Sequence, residues 1–189
     1  MKKVIIIIVT ILVVIALAVG YGVSINNSLV NAHEEINEKV SNISVQLERR
    51  ADLIPNLVNT VKGYTDHENE VLDKITEARA SILSAKSFGE KIAANEELSN
   101  ALNSLNIIVE NYPELKSSEN FINLQDELAG TENRISTARM DFNNAVKDYN
   151  KKVKSFPTNI IASIAGFKEE QYFIVSESKT DVPVVDFNK

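Results

Sequence analysis

The chain contains no cysteine, which excludes disulfide bridges, thiolate nucleophiles and thiolate metal sites. Histidine is nearly as scarce, with His33 and His67 the only two. His67-Glu68-Asn69-Glu70-Val71 opens like the zinc helix H-E-x-x-H, but Val71 stands where the second imidazole must be. His33 falls on an apolar column and reads as core. The paired Glu-x-x-His motifs of di-iron bundles do not occur either. Gly63, Gly89, Gly130 and Gly166 are isolated, so no glycine-rich loop can cradle a phosphate. No local arrangement sets a base beside a serine or threonine hydroxyl. The chain therefore reads as a non-enzyme, with no catalytic residue, no metal site and no cofactor.

Positive charge is also short beyond the N-terminus. All 26 acidic residues lie after residue 22, against 18 basic ones, a net of −8 for that part of the chain. Such a surface repels nucleic-acid phosphates and anionic head groups, so nucleic acid is not an expected partner.

What the sequence does have is one long apolar run. Residues 4–19 carry no charge and a single hydroxyl, Thr10. As a helix, residues 4–23 span about 30 Å, the thickness of a bilayer's hydrocarbon core. No face of the run is polar, which argues against a buried core helix and for a membrane anchor over residues 1–23, in contact with lipid through 4–23. Lys2-Lys3, the apolar run and Ala16-Leu17-Ala18 also imitate a cleavable secretory signal, although the run is longer than a usual signal core. Lys2 and Lys3 precede the span, while residues 23–38 offer no Lys or Arg and three Glu. Positive-inside logic keeps the N-terminus cytoplasmic and exports the remainder, as a single-pass membrane protein. Ala16, Gly20 and Ser24 place small residues on one face, where two anchors can pack as a homo-oligomer.

After the span, apolar residues recur at alternating spacings of four and three. Leu29, Ile36, Ile43, Leu57, Tyr64, Val71 and Ala78 form one column, and His33, Val40, Leu47, Ile54, Val61 and Ile75 a second. This is a coiled-coil-like pattern. Pro55, inside it, is expected to kink the helix near residues 51–54 or split it. Ser87-Phe88-Gly89 reads as a turn. A third helix carries Ile92, Leu98, Leu102, Leu105 and Val109 inward and stops at Asn111-Tyr112-Pro113. A fourth, over 119–156 with Ser118 as its cap, buries Phe121, Leu124, Leu128, Thr131, Ile135, Ala138, Phe142, Ala145, Tyr149 and Phe156. A short helix with Ile160, Ile161, Ile164 and Phe167 closes at Gly166. The expected fold is all-α: one transmembrane helix, then an antiparallel up-and-down four-helix bundle over 24–167. The tail, 168–189, reads as extended and loosely held.

Arg50 and Glu68 occupy heptad positions that call for apolar side chains. A charge facing the interior requires a partner, and Glu127 and Glu132 flank the fourth stripe at matching edge positions. These four residues are the candidates for an interhelical polar register.

Several of these segments resemble the LemA family. The likeness runs through 46–58, beginning Gln46-Leu47-Glu48-Arg49-Arg50, and through Val61-Lys62-Gly63-Tyr64 and His67-Glu68. It continues at 110–116, Asn120-Phe121, Glu127-Leu128, 131–135, Ala138-Arg139, Asn143, Tyr149-Asn150, Phe156-Pro157, Gly166-Phe167 and 183–187. Ser44-Val45 departs from the family pattern and leaves local packing there open. The resemblance implies a bacterial single-span membrane protein with an antiparallel four-helix bundle, which some accounts of the family place in the cytoplasm. It implies no defined chemistry.

Two function classes follow. The first is a non-catalytic scaffold or interaction protein that binds another membrane or envelope protein. Its specific form is strand addition by the tail residues Val182, Pro183, Val184, Val185 and Phe187 to a partner's sheet edge. The alternative is a ligand sensor or enzyme using a polar cleft around Arg49/Arg50 and Glu127/Glu132.

Overall fold

A computed structural model describes residues 2–65 and 68–173. His67 and the tail residues 182–187 lie outside these, so the readings placed on them have no structural counterpart. The described residues are helical, with turns and irregular segments between helices: α1 (Lys2–Lys62), α2 (Asn69–Ser84), α3 (Phe88–Val109), α4 (Pro113–Lys116), α5 (Glu119–Lys154) and α6 (Thr158–Ala165).

The first helix is about 90 Å long at 1.5 Å per residue. Residues 2–21 are exposed throughout: Ile6, Leu12 and Leu17 are 64%, 60% and 69% exposed. Residues 4–23 include fourteen Ile, Leu and Val. At about 0.3–0.6 kcal/mol each on a membrane-insertion scale, these favour insertion by at most roughly 4–8 kcal/mol before the opposing polar and glycine residues are counted. This is the one helix among those described that is long and apolar enough to cross a membrane. Burial inside the protein begins at Ile25 and recurs at Leu29, Ala32, Ile36, Ile43, Leu47, Arg50, Ile54, Leu57 and Val61.

Proline does not break this helix. Pro55 lacks an N–H, which leaves the carbonyl of Ala51 without its usual intrahelical donor. The Arg79 side chain of α2 takes that place, donating from Nε at 3.0 Å. The helix instead ends after Lys62, where Gly63 and Tyr64 donate back to Thr60 and Val61 in a tightened last turn. The heptad columns therefore cross a chain reversal, and Tyr64, expected in the apolar seam, is 43% exposed.

The expected turn at Ser87-Phe88-Gly89 sits slightly late. Ser87 is the N-cap of α3, with Phe88 and Gly89 already helical, and a reciprocal capping box joins the Ser87 and Glu90 side chains to each other's backbone N–H. Ser118 holds the N-cap position of α5 without a side-chain cap bond. Helix α5 ends at Lys154, before Phe156, which is 80% exposed instead of continuing the buried stripe. The next peptide bond, Phe156–Pro157, is cis. Gly166 closes α6 in the left-handed region at φ 83°, where glycine has no Cβ to strain.

Helix α1 packs along α5, and α2 pairs with α3 against the part of α1 farther from the apolar segment. One core joins α1, α2, α3 and α5, with Leu47, Ile54, Ile75, Leu98, Leu105 and Ile135 fully enclosed. A small second cluster at the base, Ile25, Leu29 and Ala162, ties α6 to α1.

Residues 168–173, expected to be loosely held, are tied along α5. Asn150 pairs both ways with the backbone of Glu170, and Asn143 does the same with Phe173. Each amide mimics a neighbouring strand's backbone. The spacing fits: seven residues of helix rise about 10.5 Å, and three of extended chain cover about 10 Å.

Candidate functional site

Helix α1 turns Arg50 inward at a heptad position, where it is only 5% exposed. Its Nη1 donates to Asn95 Oδ1 at 2.8 Å and Ser99 Oγ at 3.0 Å, both on α3, and to Glu132 Oε2 on α5. Asn95 is itself 1% exposed, so the guanidinium is the group that satisfies its carbonyl oxygen. Burial holds the Arg50 pKa below its ordinary value; Glu132 opposes this and Arg139 reinforces it. The residue remains a cation, and three helices converge on it.

The four proposed register residues do not form one cluster. Arg50 and Glu132 meet directly. Glu127 faces Arg49 at 3.6 Å on the half-exposed surface, where an ion pair contributes little. Glu68 belongs to the connection after α1 and accepts from the Tyr112 hydroxyl at 3.0 Å. Asn95 and Ser99 were not foreseen. Their only sequence signal is a polar residue, Asn95, between the apolar positions Ile92 and Leu98.

A second polar group surrounds residues 168–173, the strap held along α5 by Asn143 and Asn150. The Tyr149 hydroxyl donates to the Lys168 carbonyl at 2.9 Å, and burial, followed by the Glu170 charge, raises its pKa. His33 stacks obliquely on Tyr149, ring centroids 5.6 Å apart, and its Nε2 lies 3.3 Å from Glu170 Oε1. His33 is thus partly exposed and polar-bonded rather than simple core. Arg139 lies over the Phe173 ring at 4.7 Å.

Between α1 and α5 runs an open groove of ≈360 Å³, lined by Asn42, Gln46, Asn133, Arg134, Thr137 and Asp141 among others. It begins about one turn from Arg50 but is not lined by it. Among the described residues no three His, Asp or Glu side chains are grouped to hold a metal ion.

Against this geometry stand the comparisons with known proteins. The LemA family model matches residues 39–187, well over half of the sequence. The chain belongs to the LemA family. Related sequences include the magnetosome protein MamQ 2 of Paramagnetospirillum magneticum, 28% identical, with 84% of this chain and 68% of the relative aligned. The magnetosome protein MamQ of Magnetospirillum gryphiswaldense is 26% identical over the same shares. Protein LemA of Metamycoplasma hominis is 26% identical, covering 80% of this chain and 69% of its own. The family match begins at Lys39, so the Arg50 node, the groove and the strap all fall within it, and the apolar run does not.

Proposed function

We propose that this LemA-family protein is a single-pass, non-catalytic scaffold or interaction protein of the bacterial cell envelope. The observation that carries this reading is the unbroken helix Lys2–Lys62, which joins an apolar, uncovered segment directly to a packed helical body. The buried polar node supports it from the other side. Arg50 is engaged by Asn95, Ser99 and Glu132, an arrangement suited to fixing how three helices meet rather than to turning over a substrate. The extensive α1–α5 and α2–α3 pairings support an antiparallel four-helix arrangement of the long helices. Flanking charge favours a cytoplasmic N-terminus with the bundle outside. The partner is another membrane or envelope protein. Crosslinking in intact cells, with identification of the captured protein, tests this reading; capture of nothing beyond lipid counts against it. A C-terminal reporter active only in the cytoplasm would overturn the orientation. Retention of every partner after deletion of residues 178–189 would remove the tail as the binding element.

The α1–α5 groove favours a second reading, a ligand sensor. Its ≈360 Å³ falls within the range of small-molecule sites, and Asn42, Gln46, Arg134 and Asp141 supply mixed donors and acceptors. Filling it with Thr137→Trp abolishes ligand-induced thermal stabilisation if the groove is the binding site.

A further inference from the structure

Helix α6 contains no charged residue, and its two faces meet different surroundings. Its inner face packs on the base of α1: Ala162 joins Ile25 and Leu29, and the Ile161 side chain lies 3.8 Å from where a Cβ on Gly22 would stand. Its outer face is uncovered. Ile160 and Ile164, one turn apart, are 50% and 80% exposed, and Phe156, two residues before the helix begins, is 80% exposed.

The position of this patch identifies what covers it. Gly22 is the penultimate residue of the apolar segment 4–23, so a helix resting on Gly22 and Ile25 is level with the end of the span. Lys152, in the basic last turn of α5, shares an open groove with Gly20, Val23 and Asn27. The arrangement is that of an interfacial element: apolar side chains directed outward at the end of the apolar segment, with the Lys152 ammonium at the same level and no charge on the helix to desolvate.

We propose that α6 and the Phe156 corner form a second membrane contact. Phe156, Ile160 and Ile164 enter the boundary of head groups and acyl chains, to the depth of about 5–10 Å typical of interfacial helices. Lys152 lies at the level of the phosphates. The helical body is then braced on the bilayer at two points instead of pivoting on α1 alone. This rests on the reading of residues 4–23 as a membrane span.

The chain has no tryptophan, so a single introduced indole reports one position. The full chain, carrying Phe156→Trp, Ile164→Trp, Val13→Trp or Ile107→Trp, is reconstituted in phosphatidylcholine vesicles brominated at shallow or deep acyl positions. Val13 reports the span, and Ile107, 75% exposed near the end of α3 remote from the span, reports solvent. The expected result is blue-shifted emission at 156 and 164, quenched more by shallow than by deep bromines, with 13 quenched deeply and 107 unaffected. If 156 and 164 behave like 107 while 13 is quenched, the second contact is wrong and the span stands. A blue shift at 164 without quenching means that protein, such as a second copy, covers the face, and also overturns the proposal. Failure of quenching at 13 removes the span reading and the second contact together.

Discussion

A cation in a helical core is stable only while its partners remain, and Arg50 has three on one nitrogen. Arg50→Met leaves the buried Asn95 oxygen without a donor and Glu132 without its cation. Because Glu132 stays partly solvated, its side chain 42% exposed, the loss falls below that of a fully buried pair. A destabilisation of about 1–3 kcal/mol is expected in urea unfolding, with Arg50→Met/Asn95→Leu recovering part of it. An unchanged midpoint for Arg50→Met would refute the register role. Tyr149 predicts a pH effect. Its folded pKa is raised above the ordinary 10.0 by burial and then by Glu170, so the neutral phenol is the form the fold favours. That stabilisation is complete below about pH 10 and is lost as pH climbs through the folded pKa. The melting temperature should drop more steeply above pH 10 in the wild type than in Tyr149→Phe. Arg50 was legible in the sequence because it interrupts a heptad, and Glu132 because it flanks another. Asn95 and Ser99 were not, since nothing local says which polar residues of α3 face α1.

At the level of elements, two couplings distinguish this protein from a set of independent amphipathic helices. Pro55 frees the Ala51 carbonyl, and Arg79 crosses from α2 to occupy it. Arg79→Met should cost about 1 kcal/mol, and less in a Pro55→Ala background, where the helix supplies its own donor. Equal costs in the two backgrounds would show that proline and arginine are uncoupled. The second coupling is the asparagine strap. Asn143→Ala/Asn150→Ala removes four backbone pairings, so amide exchange at Glu170 and Phe173 should accelerate while the core of α5 stays protected. The heptad spacing of the two asparagines was visible in the sequence. Its match to an extended tripeptide becomes apparent only once the chain doubles back beside α5.

For the whole molecule, the proposed function assigns location to the apolar N-terminal run and partner contact to the helical body. Deletion of residues 2–23 should move the protein from the carbonate-resistant membrane fraction to the soluble fraction without loss of helicity in the remainder. That segment is exposed except at Gly22, which is partly buried beside Ile161, and its removal leaves the buried positions from Ile25 onward in place. Persistence of the truncated chain in the carbonate-washed membrane would mean that other surfaces suffice to hold it.

The sequence by itself determined the helical class, the apolar N-terminal run and most of the inward faces, because a 3.6-residue period and a run of aliphatic side chains are local properties of the chain. It also located the stop at Pro113 and the close at Gly166, where backbone geometry belongs to the residue itself. It placed a kink or a break in α1 at Pro55; no break occurs, because a proline's missing bond can be supplied from another helix, and only the tertiary structure shows that Arg79 supplies it. The structure alone likewise decided which acid reaches Arg50, why Phe156 leaves the stripe, and where residues 168–173 run. Each depends on contacts between segments distant in sequence, whose energies are fixed by packing and not by periodicity.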